Sequence, residues 1–411
     1  MKNLKPRRQG KGKTRLALEG GSPVRPKEEF LVFGAPQICE EEITEVVQCL
    51  RSGWIGTGPR AHQFENDFAA YKGKRHAMAV HSCTAALHLS MLATGVRSGD
   101  EVITTPMTFC ATVNSIIHCG ATPVLVDCDR ETMNISPAQI EEKITAKTKA
   151  ILVVHFAGRS CDMDPILDLA RSYDLMVIED CAHAIETQYK GRKAGTDGDM
   201  GCFSFYITKN MTTGEGGMVI TDDDRTANRI KMLALHGMNK DAWKRFSDAG
   251  YRHYEVAFAG FKYNMMDLQA SLGLHQLRRV EENWLRRAEI WKRYNESFAH
   301  LPCILPAAPE PDTRHAYHLY TPLIDIDNIG KSRDWVLDAL TAEGIGVGVH
   351  YIPVHLHPFY RKTFRWHKGD FPNSEWIGAR TISLPISPAL SEKDVQDVIT
   401  AFDKVLRAAS G

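Results

Sequence analysis

Between His76 and Asp180 the chain repeats one unit: a short apolar run, a turn of small residues, then an amphipathic stretch. The apolar runs are "HAMAV", "EVITT", "TPVLVD", "AILVVHF" and "LMVIED". They are continuous rather than alternating, which is the pattern of strands buried on both faces. The stretches between them read as helices: "HSCTAALHLSMLATG", "TFCATVNSIIHCG", "SPAQIEEKI" and "MDPILDLARSY". Within the third, Ser136 is an expected N-cap and Pro137 an expected first helical residue. Such alternation predicts an α/β fold with a mainly parallel central sheet and helices on both faces. Ligands of such sheets bind beyond the carboxyl ends of the strands, so residues just after each apolar run carry most information.

The flanks complete the organisation. A helical pattern from Ile43 to Cys49 is broken by "RSGWIGTGP", and "AHQFENDFAAYKG" reads as a helix closed by Gly73. After "KYNMMDLQASLGLHQL", the charged stretch "RRVEENWLRRAEIWKRYNESFAHL" reads as a connecting helix. Beyond Pro306 come a strand ("HAYHLYTPLI"), a helix ("RDWVLDALTAEG"), a second strand ("IGVGVHYIP") and a last helix ("SEKDVQDVITAFDKVLRA"). The expected domains are a large one over 29–275 and a smaller C-terminal α/β domain over 276–411. Residues 1–28, which begin "MKNLKPRRQGKGKTR", are expected to form a disordered basic tail, because the opening stretch has no apolar periodicity. Nor does that stretch contain the apolar core of a secretory signal.

Composition narrows the setting. Fifty basic residues balance fifty acidic ones, so no overall field points to nucleic acid or membrane as a partner. No apolar run approaches the roughly 18 to 20 residues that span a bilayer. Ten cysteines are scattered without a C-x-x-C pair, which reads as reduced thiols in a cytoplasmic protein.

Four features at strand ends carry chemistry. Asp180 closes "VIED"; a carboxylate there is either a helix N-cap or the partner of a cation. "HSCTAAL" places Ser82, Cys83 and Thr84 between a strand and a helix, either as a capping turn or as an anion site of free N–H groups. Phe109 follows a strand in "TFCAT" and is either core or a stacking platform. "FSFYITKNMTTGEGGMV" holds Ser204 and, five residues on, a single lysine, Lys209, followed by a small-residue turn of Thr212, Thr213 and Gly214. Together they supply a phosphate cradle, an aromatic face, an acid for a ring nitrogen and an amine for an aldehyde. Those are the requirements of pyridoxal 5′-phosphate.

The ordered blocks "SGWIGTGP", "SCTAALHL", "GDEVITTPMTF", "ATPVLVD", "VIEDCAHA", "FSFYITKNMTTGEGGMV", "GFKYNMMDLQASLG" and "GVHYIPVH" resemble the DegT/DnrJ/EryC1/StrS sugar aminotransferase family. The resemblance covers nearly the whole chain after about Phe30 and implies a fold-type-I PLP-dependent transferase. It implies Lys209 as the Schiff-base lysine and Asp180 as the pyridinium partner. It likewise implies that His183 stands near the cofactor's ring hydroxyl, that Phe109 is the stacking aromatic, and that Cys83, Thr84 and Ser204 are phosphate ligands. Asn264 is implied to reach the phosphate of a neighbouring subunit, hence a homodimer with shared sites. Cys83 departs from the glycine of many members.

The implied reaction moves an amino group from an amino acid, with glutamate expected, to a nucleotide-linked 4-keto-6-deoxyhexose or similar 4-keto sugar. Thr57, His350, Tyr351 and His355 are the candidates for the sugar side. The three histidines of "HYIPVHLH" lack a carboxylate or cysteine at ligand spacing, so no metal site is expected there. Other readings are amination of a 3-keto sugar or cyclitol, a PLP-dependent deoxysugar dehydratase, and a non-catalytic regulatory homologue. The dehydratases of this family replace the lysine by histidine, whereas Lys209 is intact.

Overall fold

The computed structural model describes residues 15–238 and 254–410. At its centre is a seven-stranded sheet: β1 (His76–Val80), β2 (Glu101–Thr104), β3 (Thr122–Leu125), β4 (Thr148–Val154), β5 (Met176–Asp180), β6 (Met200–Ser204) and β7 (Gly217–Thr221). In space they run β1-β7-β6-β5-β4-β2-β3. The pairs β2/β3, β2/β4, β4/β5 and β5/β6 are parallel. Only β7 is reversed, antiparallel to both β1 and β6.

The apolar runs are continuous because both faces of the sheet are covered. Adjacent residues of one strand point to opposite faces. Val102, Leu152 and Val219 enter one core, with Leu87 and Met91 of helix α3 (Cys83–Ala93) and Ile116 of α4 (Cys110–His118). Ile103, Ile151 and Val153 face the opposite side, with Met163 and Ile166 of α5 (Met163–Tyr173). On that same side Phe203 and Ile220 pack against Phe64 and Phe68 of α2 (Pro59–Lys72). Because β1, β2, β4, β5 and β6 share a direction, their carboxyl ends meet at one edge of the sheet.

Helix α6 (Val280–Phe298) leads into a second core, where Tyr294 and Phe298 pack with Tyr320, Leu340, Val398 and Phe402. Here local expectation gives way to tertiary constraint. The segments read as strands around 315–324 and 345–353 pair only over Leu323–Ile324, with Cys303–Ile304, and through isolated bridges such as Gly348 to Ser383. Tyr317 sits at φ 51°, and Pro322 and Pro353 donate no backbone hydrogen, so neither run can extend a ladder. Likewise "SPAQIEEKI" forms two 3₁₀ turns, Pro137–Gln139 and Glu141–Lys143, and the Ser136 side chain caps neither. Ile140 of that segment and Ile135 just before it are pulled into the core, and Ile144 returns to extended backbone.

The disordered tail expected over 1–28 requires correction from Arg15 onward; residues 1–14 lie outside the described residues. Leu16 is fully buried in the C-terminal core. Glu343, also fully buried, accepts from the Ala17 and Val24 N–H groups at 2.9 and 3.0 Å and pairs with Lys404 at 2.7 Å. Arg25 bridges Asp394 and Asp397. One apolar side chain and a few charges suffice, because their partners lie more than 300 residues away in sequence. Glu343→Ala should therefore cost about 2–4 kcal/mol in urea unfolding, since it strands two N–H donors and a largely buried ammonium. A loss under about 0.5 kcal/mol would show that the segment is not held this way.

Candidate active site

The edge where the strand ends converge encloses a cavity of about 520 Å³. Its floor is set by two adjacent acids of β5 that face opposite ways. Glu179 points away from the cavity and is fully buried. It accepts from His155 Nε2 at 2.9 Å and from the N–H groups of Gly195, Asp197 and Gly198 at 2.7–2.9 Å. His155 Nδ1 accepts from the Cys161 N–H, so Nε2 carries the proton. Burial opposes the Glu179 charge, but these donors hold it below the usual carboxylate range. His155, Glu179 and Cys181 lie close enough to share a metal ion, yet four N–H donors already occupy the carboxylate's lone pairs.

Asp180 is the acid that lines the cavity. Its Oδ2 accepts from Thr112 Oγ1 at 2.8 Å, and its Oδ1 accepts from the Ala182 N–H at 3.1 Å. Thr108 lies 2.7 Å from Thr112 Oγ1 and must be the donor there, because the Thr112 proton is spent on Asp180. Burial still raises the Asp180 carboxyl, which has no hydrogen-bonded cation among the described residues. A cation placed against it would restore its charge.

The anion-binding end is the start of α3. Ser82 is the N-cap and accepts from the Ala85 N–H at 3.1 Å, which fixes the first turn. The N–H groups of Cys83 and Thr84 have no intrahelical partner and sit at the positive helix end. Ser204, at the end of β6, and Thr84 line the same cavity. A Cβ on Gly217 would come within 2.5 Å of the Ser82 backbone, so only glycine lets β7 pass this close. The Cys83 thiol stands 4.0 Å from Asp180 Oδ1, and burial keeps it protonated.

Lys209 closes the cavity from a turn in which its N–H donates to Tyr206 O at 2.9 Å. The side chain is half-buried, since the cavity admits solvent, but the surrounding protein displaces enough water to lower the ammonium to about 8. The nearby Asp180 carboxylate opposes that shift without reversing it. Phe109 stands at the N-terminus of α4, 58% exposed, with its ring 6.0 Å from that of Tyr351.

His183 faces the cavity beside Asp180. Its Nδ1 accepts from the Ala157 N–H at 3.2 Å, so the neutral ring carries its proton on Nε2, which lies 3.2 Å from Tyr351 Oη. Burial keeps it neutral. The C-terminal lobe contributes His350 and Tyr351; His350 Nδ1 pairs with Ser383 Oγ at 2.7 Å, and burial lowers it to about 3.

Three candidates lie elsewhere. His355, expected on the sugar side, is fully buried away from the cavity, with Nε2 2.9 Å from Glu375 and its ring against Phe371. Pro353 turns the chain between it and Tyr351. Thr57 and Asn264 line a separate cavity of about 360 Å³, joined by a hydrogen bond of 2.5 Å from Asn264 Nδ2 to Thr57 Oγ1. The sequence reading missed Thr112, three residues after Phe109, although helical spacing could have suggested it. It also missed a buried chain behind His183. The His318 ring packs 4.4 Å from that of His183 and its Nδ1 donates to Asn210 Oδ1, while Asn210 Nδ2 donates to Glu186, which burial raises to about 7.

An amine held near neutrality, an acid wanting a cation, and unpartnered N–H groups with hydroxyls at a helix start all line one cavity. That donor set fits pyridoxal phosphate. Comparison with known proteins agrees. The DegT/DnrJ/EryC1/StrS aminotransferase family profile matches residues 36–403. The spore coat polysaccharide biosynthesis protein SpsC of Bacillus subtilis is 49% identical over 387 residues, 94% of this chain and 100% of SpsC. The structure of the candidate sugar aminotransferase Spr1654 of Streptococcus pneumoniae, in its PMP form, superposes with a TM-score of 0.85 at 33% identity, covering 92% of this chain and 98% of that one; a PLP form is also known. DesI, solved in the presence of its TDP-sugar product, superposes at 0.84 with 31% identity over 96% of each chain. With its fold and nearly its whole length matched, this chain belongs to the DegT/DnrJ/EryC1/StrS family of pyridoxal-phosphate-dependent sugar aminotransferases.

Proposed function

We propose that the chain aminates C4 of a nucleotide-linked 4-keto-6-deoxyhexose or similar 4-keto sugar, with glutamate as amino donor. It does so as a cytoplasmic homodimer. The observation that carries this reading is that Lys209, Asp180 and the start of α3 line one cavity. The sugar class rests on the relatives: DesI was solved with a TDP-sugar, and SpsC is named for polysaccharide biosynthesis. The ten cysteines are free thiols, in keeping with a reducing compartment. Among the described residues no helix is long and apolar enough to cross a membrane.

Bound pyridoxal phosphate supplies a carbonyl that takes up the amino group and a ring that accepts the electron pair left when the donor's Cα proton departs. Lys209 Nζ would hold the cofactor's carbonyl and would carry the proton leaving the donor's Cα, a task suited to an amine titrating near 8. Asp180, fixed by Thr112 and Ala182, would face the ring nitrogen and favour its protonated form. The Cys83 and Thr84 N–H groups and the Ser204 hydroxyl would hold the phosphate, Phe109 would cover the ring, and His183 would orient the ring hydroxyl. His350 and Tyr351 hold sugar hydroxyls. Asn264 and Thr57, outside this cavity, serve the partner subunit's site, Asn264 at the phosphate.

Three measurements test the reading. Lys209→Ala should lower turnover by at least about 10³-fold, and near-normal turnover would end the assignment. Cofactor capture by apoenzyme needs the neutral amine, so its rate should climb from pH 7 and level off above about 8; a rise that continues to pH 10 would mean an unshifted lysine. Mass spectrometry and NMR of products from 3-keto and 4-keto nucleotide sugars with glutamate should show the amine at C4. An amine at C3 would correct the regiochemistry.

A further inference from the structure

Behind the Lys209 cavity, one amide ties together three segments that are distant in sequence. His183 and Glu186 leave the end of β5, Asn210 follows Lys209 in its turn, and Ala316 and His318 come from the second lobe. The side chains of Glu186, Asn210 and His318 are all buried. Asn210 Nδ2 donates to Glu186 Oε2 at 2.8 Å and to Ala316 O at 3.0 Å, while its Oδ1 pairs with His318 Nδ1 at 2.8 Å. A backbone carbonyl can only accept, so the contact with Ala316 fixes which end of the amide is which. His318 Nδ1 must therefore carry the ring proton, and burial keeps that ring neutral.

The ring so fixed is a wall for His183. The two imidazoles lie 4.4 Å apart and 33° from parallel. The Ala157 backbone holds both. Its N–H donates to His183 Nδ1 at 3.2 Å, and its carbonyl accepts from the His318 N–H at 3.1 Å. The remaining His183 proton is on Nε2, the nitrogen 3.2 Å from Tyr351 Oη. A tilt of the His183 ring presses on His318, and a rotation of His318 breaks its bond to Asn210. That break would leave a buried donor and a buried acceptor unpaired, which makes the arrangement stiff.

We infer that Asn210 and His318 are positioning residues of the reaction: through the His318 ring they hold the His183 Nε2–H where it donates to the cofactor's ring hydroxyl, and Asn210 ties that contact to the turn bearing Lys209. Neither side chain lines the Lys209 cavity, so both act through His183. The inference rests on the reading of His183 given above, and its test separates the two.

Calorimetry on the full-length apoenzyme would compare pyridoxine 5′-phosphate, which forms no bond to Lys209, with its 3-deoxy analogue, which lacks the ring hydroxyl. The wild type should prefer the hydroxylated compound by at least about tenfold, and His183→Ala should abolish the preference. Asn210→Ala and His318→Phe should each cut it to about twofold while keeping the affinity for the deoxy analogue within about twofold of wild type. A purely structural role would weaken both compounds alike. His318→Phe keeps a ring against His183, so it reports the bond to Asn210 even where Asn210→Ala fails to fold. Nitrogen NMR of the histidines should show His318 protonated on Nδ1. The inference falls if that proton is on Nε2, or if the variants weaken both compounds alike. It also falls if both variants keep the wild-type preference while His183→Ala loses it, an outcome that leaves the reading of His183 intact. A wild type without any preference would overturn that reading and the inference with it.

Discussion

The site depends on how one carboxylate is buried. Glu179 sits with no solvent contact at the end of β5, and its four lone-pair positions are filled by His155 and three backbone N–H groups. A buried acid without such donors would be neutral or would pull the strand apart. With them, Glu179 locks the strand's last residues to the loop around Gly195–Gly198. Because successive strand residues face opposite ways, fixing Glu179 outward fixes Asp180 inward. A slip of one residue in β5 would exchange the two acids.

The cavity so formed is set against its own charges. Desolvation raises Asp180 and lowers Lys209, so each is pushed toward neutrality, and His183 and His350 are held neutral as well. Among the described residues that line the cavity, the helix N-terminus supplies fixed positive potential. A molecule with an acidic phosphate at one end and a protonatable ring nitrogen at the other relieves both mismatches. Binding and activation are then one electrostatic event, with Thr112 and Ala182 holding the acid in place beforehand.

The second lobe completes the site through irregular backbone. His350 and Tyr351 reach the cavity from a segment that forms only isolated bridges, held by the Ser383 bond and by packing against His183. That lobe's core is closed in turn by Leu16 and by the Glu343 bonds to the N-terminal segment. Regular structure would have presented alternate residues to opposite faces; here three consecutive residues, Val349, His350 and Tyr351, line one cavity.

The sequence by itself determined the layered sheet and the residues that follow its strands. Continuous apolar runs alternating with amphipathic stretches fit strands buried between helices, and a chain leaving a parallel strand emerges at the carboxyl edge. Lys209, Asp180, Thr84, Ser204 and Phe109 were therefore legible as neighbours before any coordinates. Tertiary structure alone decided what depends on contacts between distant segments. It turned His355 toward Glu375, set Thr57 and Asn264 in a separate cavity, brought His318, Asn210 and Glu186 behind His183, and drew Leu16 of the N-terminal segment into the C-terminal core. Local pattern reports which face a residue prefers; only the closed packing of both lobes determines which partner it meets there.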